Sequence, residues 1–238
     1  MNKKLTTLLM IVALLSVAQT ASSCWPGIKG NGNVVKSTRD LSGFDAISVS
    51  TGIELYITQD SVEKVIVEAD ENLQEVIITE VRNGELKIYA EKQIMWSKAK
   101  KVYVTAKKIK SLSASAGADV ESTPLTTGDI EVSASSGADV ELILNAANVK
   151  SDASSGANLE LKGTGESIRA GVSSGAGIEA DELICKTGEA DASSGGHLSI
   201  YASQHVNAEA SSGGSISVYG NPQTRDSSTS SGGGVHFK

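Results

Sequence analysis

The side chains able to do chemistry in this sequence stand in two ordered columns. Two places after a recurring Gly come Asp119, Asp139, Asn158, Gly177, His197, Ser215 and Gly234. Four places after it come Glu121, Glu141, Glu160, Glu179, Ser199, Ser217 and His236. If the units carrying them stack as strands, neighbouring carboxylates stand about 5 Å apart. In water, like charges at that spacing cost a fraction of a kcal/mol each, which a solvated, solubilising face absorbs. The sharper reading is a face for a divalent cation or a cationic ligand, because carboxylate oxygens suit Ca²⁺. Its residues are Asp119, Glu121, Asp139, Glu141, Asn158, Glu160 and Glu179.

Carboxylates at a set separation in a cleft also hydrolyse glycosidic bonds. Carboxylates are plentiful here, but the short units leave almost no loop from which to build a cleft. Tyr201 and Tyr219 are the tyrosines of the second half, few for sugar stacking. His197, His205 and His236 lie in separate units and read as surface residues. Neither a Gly-rich phosphate loop, a Ser-His-Asp order nor a Cys/His metal spacing occurs. The expectation is a protein without catalytic residues, metal or other cofactor. A polysaccharide lyase or hydrolase built on the same scaffold is the alternative.

What positions the acids is a repeat. Segments opening at Ser115, Ser135, Ser154, Ser173, Ser193, Ser211 and Ser230 read Ser-Ser-Gly, the first as Ser-Ala-Gly, and their glycines are spaced 20, 19, 19, 20, 18 and 19 residues apart. Three places after the Gly stands Val120, Val140, Leu159, Ile178, Leu198, Ile216 or Val235, aliphatic in every unit. The intervening positions are polar or small, which is the period-two alternation of a strand with one buried face. Three places before the Gly the residue is Ala in five units, so a second strand runs into each bend. A unit of 19 residues cannot close a core alone, whereas stacked units can. The fold class is therefore all-β: a single-stranded parallel β-helix, or β-solenoid, with about 19 residues per coil over 111–238. Crossover handedness makes it right-handed.

Composition agrees. The 238 residues are 39% hydrophobic but only 4% aromatic, so the core must be built from Val, Ile, Leu and Ala. Eighteen of the 24 Gly and 25 of the 34 Ser follow residue 110. Three Pro and no period-three Gly exclude collagen. The net charge of −7 argues against a nucleic-acid partner. Eight of the 21 basic residues fall between Lys87 and Lys110, either a solvated edge or a basic patch for anionic lipid or glycan.

Residues 36–110 read as wider coils of the same object. Ala46–Ile57 has a strand, a bend at Gly52 and a strand, and Val76–Tyr89 repeats this form around Gly84. The rival reading is a small separate β-sandwich in which Asn83-Gly84 is a hairpin turn.

The chain opens as an export signal over 1–23. Asn2-Lys3-Lys4 supplies the charged start, and Leu5–Ala18 an apolar stretch too short to span a bilayer of about 30 Å. Ala21-Ser22-Ser23-Cys24 resembles a bacterial lipobox, which makes Cys24 the lipidated residue and 24–35 a tether; cleavage after Ala18 is the alternative. Several acyl chains on one Cys give stable anchoring. Cys185 then remains as a lone thiol.

Phe44-Asp45-Ala46-Ile47, Gly52-Ile53-Glu54-Leu55, Asn83-Gly84-Glu85-Leu86-Lys87-Ile88 and the Ser-Gly-Ala-Asp repeats together resemble the putative auto-transporter adhesin, head GIN domain family, over about residues 36–238. Gly52-Ile53-Glu54 departs from the Gly-Ile-Asn expected there. The resemblance implies a right-handed β-helix from a Bacteroidetes envelope protein, adhesin-like and without catalytic residues. The expected location is the outer membrane or periplasm, or the cell surface, with membrane contact through the lipid alone. The expected partner is an envelope protein or a glycan. Phe237-Lys238 ends in mid-coil without a polar cap, which suggests pairing of the last rung with a second copy or a partner.

Overall fold

Strands with one wet and one apolar face need a roof over the apolar side, and in this chain each coil roofs the one before it. The computed structural model describes residues 27–238. The export segment and Cys24 lie outside the described residues.

The strands before the regular repeats are β1 (Ile28–Lys29), β2 (Val34–Arg39), β3 (Ala46–Val49), β4 (Glu54–Gln59), β5 (Lys64–Asp70), β6 (Ile77–Arg82), β7 (Glu85–Ala90), β8 (Ile94–Trp96) and β9 (Lys100–Ala106). The repeats supply β10 (Ser111–Ala114), β11 (Asp119–Ser122), β12 (Leu125–Ala134), β13 (Asp139–Ala153), β14 (Asn158–Val172), β15 (Gly177–Ala192), β16 (His197–Ala210), β17 (Ser215–Tyr219), β18 (Thr224–Thr229) and β19 (Gly234–Phe237). From β10 onward all pairing is parallel. Each long strand runs along one side of a coil, turns a corner, and returns along the other.

The aliphatic columns align as the sequence requires. Val120, Val140, Leu159, Ile178, Leu198, Ile216 and Val235 are successive partners in the ladder. The five from Val140 to Ile216 are at most 3% exposed. Each such side chain contributes about 1.5–3 kcal/mol on burial, so the column is a main source of cohesion between coils.

The Ser-Ser-Gly bends are tighter than glycine alone would demand. In the bend of Ser154–Ala157, Ser155 has φ +54° and Gly156 φ +70°, and Ala157 N donates to the Ser154 carbonyl at 3.2 Å. That is a type I′ turn, with both central residues left-handed. The neighbouring Gly137 N donates to the Ser155 carbonyl at 3.2 Å, so the inter-coil ladder passes through the corner. The left-handed serine places its carbonyl along the stack and keeps that group bonded.

The first half departs from simple stacking. Asn83 (φ +53°) and Gly84 (φ +79°) are the two central residues of a hairpin, and β6 pairs antiparallel with β7 through Arg82 and Glu85. Gly84 is therefore a hairpin turn and not a second coil bend like Gly52, yet β3 and β4 pair with β10 and β11, so this half continues the sheet of the regular coils instead of forming a separate sandwich. Strand β3 has β7 on one side and β10 on the other, and β4 likewise has β9 and β11. The later coil, β7–β9, thus stacks outside the earlier one, β3–β4. Antiparallel β5 covers β9, β2 covers β5, and β6 covers β7, which leaves β2 and β6 as the outer strands at this end. The segment read as a tether joins the fold from Ile28, where β1 pairs with β8.

A buried carboxylate fastens this end. Asp70 is 0% exposed; its Oδ1 accepts from the amides of Lys98 and Ala99 at 3.0 Å each, and its Oδ2 from Gly32 N at 2.8 Å. Burial alone would raise its pKa, but the amide donors of Gly32, Ala99 and Lys98 prevail and hold it below the usual value.

Candidate ligand-binding surface

The predicted acidic residues meet on one face. Ladder pairing places Glu54, Asp119, Asp139, Asn158 and Gly177 in one column, with Tyr56, Glu121, Glu141, Glu160 and Glu179 in the next. Those from Asp119 and Glu121 to Gly177 and Glu179 border an open hollow of about 250 Å³. Farther along, Ser199 and Ser217 are buried rather than facing solvent. Strand β15 carries extra residues between Ala180 and Ile184, and Asp181 there accepts from Ser199 Oγ at 2.6 Å.

The acids stand side by side instead of converging. Asn158 Nδ2 donates to Asp139 Oδ1 at 2.8 Å. Lys162 Nζ contacts Glu160 at 2.5 Å and Glu141 at 3.2 Å, and those bonds raise its pKa. Partial burial, then Glu54 and Asp139, raise the pKa of Asp119. Among the described residues no group of three or more His, Cys, Asp or Glu side chains is placed to hold a metal ion.

An aromatic pair extends the face beyond its acids. Tyr56 and Tyr103 stack with ring centroids 5.2 Å apart. Lys101 bonds Glu54 at 3.2 Å and lies 5.3 Å from the Tyr56 ring, while Lys36 lies 5.3 Å from that of Tyr103. Burial, then the Glu68 carboxylate, raise the Tyr103 pKa. Sequence reading missed this pair because it depends on the inverted order of the first coils.

Two further grooves run along the stack. The larger, of about 720 Å³, spans coils from Lys110 to Asn207. One of its ladders is Asp129, Asn148, Ser167, Thr187 and His205; the other is Glu131, Lys150, Arg169, Glu189 and Asn207. Asn148 Nδ2 donates to Asp129 Oδ1 and Ser167 Oγ to Asn148 Oδ1, each at 2.7 Å. Lys150 pairs with Glu131 at 2.6 Å and Arg169 with Glu189 at 3.1 Å. The signal was present eight and six places before each following Gly, a count made less visible by corners of variable length. The second groove, of about 550 Å³, follows the first serine of each bend, with Asp152, Asp191 and Glu209 beside it.

These surfaces can recognise by hydrogen bond and charge. His205 Nδ1 is 4.0 Å from Asp226 across the coil boundary. Cys185 is 1% exposed, and burial, with a smaller effect of Glu166, pushes its thiol up to about 11, far from a reactive thiolate.

A putative adhesin from Bacteroides fragilis superposes with a TM-score of 0.82 at 19% identity, covering 89% of this chain and 99% of its own. A putative lipid binding protein from Parabacteroides distasonis gives 0.72 at 23% identity, with 89% and 99% covered. A putative adhesin from Parabacteroides merdae gives 0.69 at 17% identity, with 89% and 98% covered. At such identities the likeness shows a common fold. No curated protein matches the chain. The sequence profile of the family described as putative auto-transporter adhesin, head GIN domain, matches residues 43–222. Matched over most of its length, the chain belongs to that family.

Proposed function

We propose that this protein is an exported, lipid-anchored envelope solenoid that binds an envelope protein or glycan without chemically altering it. The observation that carries this reading is the groove from Lys110 to Asn207, an open, loop-free track of in-register polar ladders. A repeated donor and acceptor pattern suits an extended ligand that repeats along its own axis, whereas a cleft that would enclose a reacting bond calls for loops this coil does not supply. The family description and the adhesin names of two relatives favour the same reading.

Radiolabelled palmitate followed by protease shaving of whole cells tests anchoring and exposure together. Label on the parent, its loss in Cys24→Ala, and digestion by external protease are the expected results. A surface array of acidic and neutral polysaccharides tests the ligand: retention without cleavage is expected, and cleavage would move the protein to the enzymes.

A further inference from the structure

Among the large hydrophobic side chains exposed on the described surface, Met95 and Trp96 are neighbours, 63% and 54% exposed. Their strand is not loose. Ile28 N donates to the carbonyl of Gln93 and Gly30 N to that of Trp96, each at 2.8 Å, so β1 holds β8 with its indole outward. Lys29, the ladder partner of Trp96, and Lys92 and Lys98 are exposed beside it in the chain, with Glu91 their neighbouring acid. Other lysines of the same basic stretch are neutralised locally, Lys87 by Glu85, Lys101 by Glu54 and Lys110 by Asp45. Lys92 and Lys98 pair with no carboxylate among the described residues.

The position of this corner gives it a partner. Gly27 is three residues from Cys24, a reach of about 10 Å at full extension. A lipid on Cys24 therefore holds β1 and β8 at the bilayer surface. Trp settles at headgroup depth, with its ring apolar and its N–H wet, and Lys is drawn to anionic headgroups. We infer that the β1–β8 corner is a membrane-contact face: Met95 and Trp96 enter the headgroup layer of an anionic bilayer, and Lys29, Lys92 and Lys98 bind its phosphates. The inference rests on the lipid-anchor reading for its location, since so few contacts hold a membrane only briefly without an anchor.

The chain has two Trp, so Trp25→Phe leaves Trp96 as the sole indole. Cys185 is buried, so in the full chain Cys24 is the thiol that couples to a maleimide phospholipid, which supplies the anchor whether or not a cell acylates it. The vesicles are phosphatidylcholine with roughly a quarter phosphatidylglycerol, with or without bromine on the acyl chains. Brominated anionic vesicles are expected to remove roughly half of the Trp96 emission. Neutral vesicles, or the variant Lys29→Glu/Lys92→Glu/Lys98→Glu, are expected to restore most of it. Equal emission from brominated and plain anionic vesicles overturns the inference. So does quenching that the variant leaves unchanged, because proximity to the tether then accounts for it. A Trp96 response to solubilised envelope proteins with no bromine effect would make the corner a protein-docking face instead. Quenching without palmitate labelling in cells sinks the anchor and keeps the face; labelling without quenching does the reverse.

Discussion

Lys162 places its ammonium 3.2 Å from the Glu141 carboxylate one coil away. With Glu160 also in contact, one ammonium offsets part of the charge of two neighbouring carboxylates in the grid. Lys162→Met should lower Tm in low-salt buffer. The difference should vanish near 1 M NaCl, where screening acts within about 3 Å. Millimolar Ca²⁺ should leave the parent Tm unchanged, since side-by-side carboxylates bonded to Lys162 and Asn158 do not form a cage of six to eight oxygens. A Ca²⁺-dependent rise that Asp139→Asn/Glu141→Gln abolishes would assign the face to a cation.

Asp70 makes the stability acid-sensitive. Its folded pKa lies below the ordinary Asp value of about 3.9. Its contribution is therefore complete above that value and disappears as pH falls through the lower folded pKa. Asp70→Asn should cost about 3 kcal/mol at neutral pH, as charged hydrogen bonds to Gly32, Lys98 and Ala99 are lost. Denaturant melts from pH 7 to pH 2 check this: the parent and variant curves should converge at the acid end.

Gly163 and Gly156 should respond differently to the same change. At Gly163, with φ +116°, an added Cβ would lie 2.0 Å from the Leu144 carbonyl oxygen of the preceding coil. At Gly156 an added Cβ meets nothing within 4 Å. Gly156→Ala should cost about 1 kcal/mol, the left-handed penalty alone. Gly163→Ala should cost about 2–4 kcal/mol, because the ladder itself must open. Equal midpoints in urea would show that the coils are not in contact at that corner.

Ser151 is an unpaired hydroxyl in an aliphatic column. It is 0% exposed, its Oγ has no hydrogen-bond partner among the described residues, and its ladder neighbours are Val132 and Ala170. Ser151→Ala should stabilise the protein by about 1 kcal/mol, through removal of a dehydrated polar group. A lower Tm in the variant would contradict this.

The regular coils were legible because one feature repeats at fixed spacing. Val140, Leu159 and Ile178 occupy equal places relative to Gly137, Gly156 and Gly175, and equal places become one column when parallel strands stack. The acidic grid followed from the same count. Lys162 was less visible because its role depends on side-chain reach across a coil, and the polar ladders of the larger groove because they keep register with the following bend rather than the preceding one.

Sequence alone determined that the chain is a stack of β-coils with an aliphatic interior and bends at Ser-Ser-Gly, because period-two alternation and a 19-residue repeat admit few other ways to bury Val, Ile and Leu. Tertiary structure decided which strands meet in the first half. Asn83-Gly84 turns the chain back on itself, β7 and β9 fall outside β3 and β4, and Tyr56 thereby reaches Tyr103 while Trp96 comes to rest beside Lys29. Those contacts join residues far apart in sequence with no repeat between them, and they are selected by burial of side chains such as Ile47, Leu55, Leu86 and Val102 in one shared core, a property of the assembled sheet and not of any local segment.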